Sequence, residues 1–530
     1  MVAFPIVAGW LCLLFVAVLI ALRKPHRNLP PGPRRLPMIG NLLDMPPQDG
    51  RNWEHYAKHN ELYGPITSLN AFGTTIILLH DLALTQELLE KKAVIASNRP
   101  RPFFLTQMCG WGEDIGLIPY NRRLRAIRKH IHSLLGTQTA LAKYSDIQDL
   151  ETRRFLLRVL NDPTRFLEHI KSEAAGIMLK SIYGYTINLE GSDPIIGIVE
   201  RALADALVAG QPGAWLVDAI PASNIQSLSY LPDWFPGTHF KQVAREIRAT
   251  ERAFSSRPWE FVKHQIAKGT HEPSFVSRLH EEAGGELQGE DAHVTKWAAN
   301  GLYGGGADTT VSPIMTFFLV MLHQPEIQQK AQDEIDQIVG KERLPALQDR
   351  GDLPYTEAVI TEVLRFHTVV PEGLPHATTE DCELGGYLIP EGAVIIPNIQ
   401  LFAHSSDTYL NPGVFNPDRF LGGDPELDPR TFIFGFGRRV CPGQLLANSN
   451  LFLALARTLA ALDIRKPIDS EGIEYTPPMI FEHGFVSHPA PFEARITPRS
   501  EKYRDMILEV ERTQPMGKGS AEDMEEVHGG

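Results

Sequence analysis

The stretch Phe434-Gly435-Phe436-Gly437-Arg438-Arg439-Val440-Cys441-Pro442-Gly443 constrains this chain more than any other. It sets one cysteine on a glycine-dense loop, just before an apolar segment, Gln444 to Leu462, that reads as a helix. A thiol near a helix N-terminus meets free backbone N–H groups and the positive end of the helix dipole, and both favour the thiolate. Glycine lets the backbone crowd close to a flat ligand, and Phe434 offers a ring to shield the sulfur. A lone thiolate in an apolar, donor-lined niche suits the axial ligation of haem iron. The plainer alternative, a buried free cysteine after a turn, does not require this run of specific residue types.

Composition removes several other classes. At 530 residues, 43% hydrophobic and 22% charged, the chain can bury a substantial core. A net charge of -13 without a long basic block argues against nucleic acid as a partner. Cys12, Cys109, Cys382 and Cys441 are scattered with no C-x-x-C pair, which argues against zinc and iron–sulfur sites and suggests no disulfide framework. No internal repeat is visible.

Met1 to Leu22 carries no charged side chain, about enough helix to cross a bilayer core of roughly 30 Å. No basic n-region or small-residue cleavage site marks it as a secretory signal. Arg23, Lys24, His26 and Arg27 follow it, so the positive-inside rule keeps the rest of the chain cytosolic. Residues 1–22 thus read as a retained transmembrane anchor, and residues 23–40, with Leu29-Pro30-Pro31-Gly32-Pro33, as a basic and proline-rich hinge.

Further along, Thr67 to Asn70 and Ile76 to Leu79 flank Gly73 as strands of a small sheet. Trp111 to Tyr120 reads as an irregular loop entering a basic helix, Asn121 to His130, whose charge suits either a solvated face or an acidic electron-donor domain. Ala209 to Phe240 mixes Trp215, Tyr230, Trp234 and Phe235 with Pro212, Pro221, Pro232 and Pro236, a poor recipe for an isolated core helix. A helical run from about Asp291 to His323 holds Gly304-Gly305-Gly306-Ala307-Asp308-Thr309-Thr310. Each glycine there costs roughly 0.8–1.0 kcal/mol relative to alanine, and close approach of a ligand to the backbone is one reason to accept it. Asp308 and Thr309 put an acid and an alcohol beside that opening. Pro313 cannot donate to the Thr309 carbonyl, which predicts a local bulge between about Gly305 and Thr309. Glu362 and Arg365 share a helix face at i and i+3. Beyond Pro498 the chain is polar, and residues 501–530 read as an acidic, disordered tail.

Phe434 to Gly443 resembles the haem-binding signature of the cytochromes P-450, the haem-thiolate monooxygenases. The resemblance runs from the proline-rich hinge to about Ser500. It implies that Cys441 is the metal ligand, with Phe434 and Gly435 in the haem-binding loop, and that haem b is the cofactor. It implies Arg128, His376 and Arg439 as partners of the haem propionates; where members usually carry Trp-x-x-x-Arg, Leu124 replaces the Trp here and Arg128 keeps the arginine. Gly305, Gly306, Asp308, Thr309 and Thr310 fall in register with the family's (Ala/Gly)-Gly-x-(Asp/Glu)-Thr-Thr, which implies proton delivery by Asp308 and Thr309. Glu362, Arg365 and Arg419 match a buried structural triad, and the Ala209 to Phe240 stretch matches the substrate-chamber roof. Tyr230 to Gly237 is similar to fungal members that decorate secondary metabolites.

The expectation is a mainly α cytochrome P-450 fold with a small β-rich region, residues 41–500, behind one transmembrane helix. Its activity would be monooxygenation of a hydrophobic small molecule, with electrons from an NADPH-dependent cytochrome reductase, at the endoplasmic reticulum membrane. Two other classes stand beside it. A haem-thiolate isomerase or dehydratase working without reductase typically loses the acid–alcohol pair, and a non-catalytic membrane haem protein needs no glycine-broken helix.

Overall fold

The computed structural model describes residues 28–37, 39–47, 51–188, 193–211, 213–219, 231–515 and 518–528. The expected anchor, the basic cluster after it, and Pro212, Pro221 and Tyr230 of the roof lie outside the described residues. The fold is mainly helical with small sheets. At its centre lies the helix Val311–His323, whose residues from Val311 to Leu322 are all buried. A helix apolar on every side has to sit in the core. It packs among Ser145–Asn161, Phe166–Tyr183, Pro354–Phe366 and Gln444–Ala461 through one apolar cluster. Together with Gly289–Thr309 it is the one run among the described residues long and apolar enough to cross a membrane, and 72% of its apolar window is buried inside the protein. It is a core helix.

The helical run breaks at Thr310, between Gly289–Thr309 and Val311–His323. This is one residue beyond the expected bulge. The missing Pro313 N–H leaves the Thr309 carbonyl without its helical donor, so the ladder is interrupted C-terminal to the glycines.

The expected hairpin is present as Ile66–Ala71 and Thr74–Leu79, turning at Phe72 and Gly73 with φ of 47° and 89°. Val394–Pro397 pairs parallel to its second strand, and His376–Ala377 pairs antiparallel to Val394–Pro397. This sheet carries His376 into the interior, where it is buried.

The disordered tail is corrected by the structure. Glu501–Thr513 is a helix, capped by the Ser500 hydroxyl on the Tyr503 N–H, and it buries Tyr503, Ile507 and Val510 in the main core. Ala521–His528 is helical too and buries Met524, with Lys268 paired to Glu526 at 2.7 Å. A sparse apolar stripe at helical spacing was enough to dock a segment whose overall composition is polar.

Candidate active site

The loop before Gln444–Ala461 is fixed by its glycines. Gly437 has φ of +53°, and a Cβ there would sit 2.2 Å from the Leu89 carbonyl oxygen. Gly435 has φ of +80°, a conformation L side chains rarely adopt. The Cys441 N–H donates to the Phe434 carbonyl at 2.8 Å and closes the turn. Burial pushes the Cys441 thiol up, while backbone N–H groups of Gly443 and Gln444 and the charge of Arg128 pull the other way. Cys441 keeps accessible surface although protein surrounds it deeply. Both observations hold for a side chain on the wall of an internal void. Gly305 is alike: it is exposed between buried Tyr303 and Ala307, with no atom within 4 Å of where a Cβ would stand.

Beside the cysteine lies a set of cations, Arg99 and Arg439 buried and Arg128 half-buried. Arg439 donates from Nε to Ser97 O at 2.8 Å and from Nη2 to Ile118 O at 2.7 Å. Arg128 Nη2 donates to Val440 O at 2.9 Å. Arg99 Nη1 donates to the carbonyls of Leu374 and Pro375 at 2.7 and 2.8 Å, and its buried Nε has no partner. Burial first, then the neighbouring guanidiniums, holds Arg99 well below its ordinary value, and burial with Arg128 brings Arg439 down to about 10. Among the described residues none of the three forms an ion pair with a carboxylate. His376 donates its Nδ1–H to Ala96 O at 2.7 Å. Burial, then Arg99, drives its pKa far down, so the ring is neutral with its Nε2 lone pair bare. Buried cations that repel one another persist where an anion completes them. A dianionic group with carboxylates at one edge fits this set.

The Cytochrome P450 family profile matches residues 30–178 and 216–495. The chain belongs to the cytochrome P450 family. It is 46% identical to the cytochrome P450 monooxygenase claR of Ampulloclitocybe clavipes, over 91% of this chain and 88% of that protein. It is 42% identical to the cytochrome P450 monooxygenase ppsD of Aspergillus oryzae, over 95% of each. The O-methylsterigmatocystin oxidoreductase of Aspergillus flavus is 36% identical over 96% of this chain and 94% of its own. This P450 is therefore an oxidoreductase of the monooxygenase class, and its family implies haem iron held by a cysteine thiolate.

In the helix Gly289–Thr309 of this P450 the three glycines divide. A Cβ on Gly304 would meet Phe254 at 2.9 Å and one on Gly306 would meet Met178 at 2.6 Å, so both serve helix packing. Gly305 alone of the three borders open space. The Thr309 hydroxyl donates to the Gly305 carbonyl. Asp308, expected as the link to solvent, also has a partner: its Oδ1 lies 3.1 Å from His488 Nε2, with 35% of its side chain exposed.

Leu124 is fully buried among Ile127, Ile131 and Leu134, and supplies packing where an indole would supply a donor. Arg125 points to solvent. In the roof, Trp215 stacks on Phe104 at 3.8 Å between ring centroids, while Trp234 is 79% exposed beside Phe235. Sequence reasoning missed Arg99 and His488. The run Asn98-Arg99-Pro100-Arg101-Pro102 reads only as a cationic irregular loop, and His488 is a lone histidine far from the glycine helix.

Proposed function

We propose that this P450 is a membrane-anchored haem-thiolate monooxygenase, single-pass in the endoplasmic reticulum with a cytosolic catalytic domain, oxidising a hydrophobic small molecule in fungal secondary metabolism. One observation carries the reading: a cysteine sulfur held by two helix-terminal N–H groups, next to the buried Arg99 and Arg439 and the half-buried Arg128, which lack carboxylate partners among the described residues. Haem b bound there would activate dioxygen, with two electrons from NADPH through a cytochrome reductase, placing one oxygen atom in the substrate and releasing the other as water.

The residues divide the remaining work. Cys441 Sγ would hold the haem iron as a thiolate, and the N–H groups of Gly443 and Gln444 would hold its negative charge. Phe434 covers the sulfur, and Gly435 gives the loop its turn. Arg99, Arg128 and Arg439 answer the propionates, and an anion at that edge would recharge His376 so that it donates from Nε2. The Thr309 hydroxyl proton is committed to Gly305, so the hydroxyl offers its lone pairs to a donor in the void, where it can hold a water in place. Asp308 brings protons from solvent. The roof segment, the loop near Trp111 and Val369 to Leu374 shape a largely apolar chamber.

Support for the substrate class is comparative. One relative is named for O-methylsterigmatocystin. Cys441→Ser tests the core of the reading. The thiolate-type spectrum of the ferrous carbon monoxide complex should vanish, and a variant that keeps it would place the ligand elsewhere.

A further inference from the structure

The helix His239–Lys268 joins two arms that are held very differently. Pro258 stands inside it and has no N–H for the Phe254 carbonyl, so the hydrogen-bond ladder is weakest between those two residues. The near arm, residues 239–254, starts from the roof turn: Lys241 Nζ pairs with Asp233 at 2.9 Å and donates to the Leu231 carbonyl at 2.8 Å, and Arg245 pairs with Asp233 at 3.0 Å. One side of this arm, Gln242, Arg245, Glu246, Arg248 and Ala249, is exposed. The far arm, residues 258–268, buries Pro258, Trp259, Phe261 and Val262, and the Phe261 ring lies 5.3 Å from that of Tyr185 between centroids.

The C-terminal segment closes over the far arm. Its first helix, Glu501–Thr513, is fixed to the main core by Tyr503, Ile507 and Val510, and Tyr503 Oη donates to Asp336 Oδ1 at 3.2 Å. Before the second helix, Ala521–His528, the Ser520 N–H donates to Thr186 O at 2.9 Å and the Thr186 N–H donates to Ser520 Oγ at 3.1 Å. Gly519 lies flat against the neighbouring backbone, where a Cβ would stand 2.9 Å from Asn188 Cα. Met524 then joins the apolar cluster of Tyr185, Phe261 and Val262, and Glu526 pairs with Lys268 at the end of the arm at 2.7 Å. A helix anchored in the core thus leads directly to one that holds the far arm.

We propose that Ala521–His528, anchored through Glu501–Thr513, is a strap that immobilises the far arm, so that the roof opens by bending of His239–Lys268 at Pro258. Movement of the whole helix would uncover Met524 and Phe261 and break the Lys268–Glu526 pair, whereas a bend uses a ladder position the proline has already emptied. Phe254 sits at that bend and bears on the glycine helix, with its ring 2.9 Å from where a Gly304 Cβ would stand and 5.9 Å from the Trp111 ring between centroids. The proposal rests on the monooxygenase reading only in taking the roof to cover a substrate chamber.

Amide hydrogen exchange of the full-length holoenzyme, read by mass spectrometry, tests the strap whatever the chamber holds. Residues 259–268 should be protected about as well as Glu501–Thr513, and residues 239–254 much less; equal protection of the two arms would remove the bend. Met524→Asp puts a charge in the apolar seat and should raise exchange of residues 259–268 and 185–187 several-fold while Val311–His323 stays protected. Gly519→Val, which forces the strap off the Asn188 backbone, should do the same. Faster exchange confined to residues 518–528 would mean that the strap merely rests on the surface, and equal loss of protection in Val311–His323 would mean that it holds the whole fold. Either result overturns the proposal. The bend has its own readout in the association rate of phenylimidazole with the haem iron, followed by absorbance. Pro258→Ala returns an N–H to the Phe254 carbonyl and should slow that rate several-fold, whereas Met524→Asp should raise it; an unchanged rate in Pro258→Ala would sink the hinge. A wild-type protein that binds no phenylimidazole would overturn the monooxygenase reading instead, with amide exchange still deciding the strap.

Discussion

Two groups of buried or half-buried arginines lie inside this P450, and they are closed in opposite ways. Around Glu362 every charge has its answer: Arg365 donates to both carboxylate oxygens at 2.7 and 2.9 Å, and Arg419 Nε donates at 3.2 Å. The Asn416 N–H adds a fourth donor at 2.8 Å, and Glu426 takes the far side of Arg419 at 2.5 Å. Around Cys441, Arg99, Arg128 and Arg439 find only backbone carbonyls and one another. The same side chain thus marks a closed structural joint in one place and, in the function proposed above, an anion site in the other. Burial alone does not distinguish them; the missing carboxylate does.

Breaking the finished group should have the largest effect. Glu362→Ala leaves the Arg365 guanidinium buried without a counter-charge and Arg419 with Glu426 alone, at about 3–5 kcal/mol of stability. The expected result is little soluble holoprotein and a much lower denaturant midpoint in what is recovered. A variant that folds normally would mean that the triad is not what holds this region together.

Glu173 tests the opposite imbalance, a carboxylate short of cations. It is buried, with Asn450 Nδ2 donating to it at 3.3 Å, and burial raises its pKa to about 8 from an ordinary 4.5. The folded chain keeps this proton where the unfolded chain has released it. Stability from Glu173 is therefore full below about pH 4.5 and falls as pH rises toward 8. Glu173→Gln should remove that slope, gaining up to a few kcal/mol at the alkaline end and little at the acid end. Parallel pH–stability curves for the two proteins would exclude a protonated Glu173.

The unfinished group is best probed with the protein left intact. Haem dimethyl ester has the ring of haem but no propionate charge. A charge-assisted hydrogen bond contributes about 1.5–3 kcal/mol, so the ester should bind the apoprotein roughly ten- to a hundredfold more weakly for each propionate hydrogen bond it fails to make. Arg99→Met should narrow the gap between the two ligands. Equal affinities for haem and its ester would show that these arginines bind no propionate and are structural, as those around Glu362 are.

The two groups were also unequally legible in the sequence. Glu362 and Arg365 sit three residues apart on one helix, and Arg419 could be added from the family resemblance. Cys441 was legible for a local reason too, since its glycines, its donors and its helix are contiguous. Arg99 was not, because its neighbours Arg128 and Arg439 arrive from a helix and a loop far along the chain, and only folding shows that no acid joins them. His488 reaches Asp308 by the same kind of long-range closure. The helix Glu501–Thr513 was hidden for a different reason. Three apolar residues at helical spacing were outvoted by polar composition, although Tyr503, Ile507 and Val510 are enough to dock it. The three glycines at 304–306 carried a real signal, but it mixed two causes, packing at two positions and open space at one.

Arg125 supplies the control that both buried groups need, and the smallest effect. It lies in the same helix as Arg128, three residues earlier, yet it is exposed where Arg128 is half-buried against Val440. An exposed arginine with no ion pair stabilises almost nothing, so Arg125→Ala should change stability by less than about 0.5 kcal/mol. Haem and haem ester should bind as before. What should change is the encounter with the proposed reductase, if its docking face is acidic, because an exposed charge acts mainly on association rate and that action is screened by salt. Reduction by the reductase should slow measurably at low ionic strength, and the difference from wild type should fade as salt is raised. A loss of haem affinity in this variant would put Arg125 inside the anion site and erase the line between exposed and buried cations on that helix. A slowing that salt does not diminish would mean that Arg125 docks specifically on the reductase rather than contributing to its field.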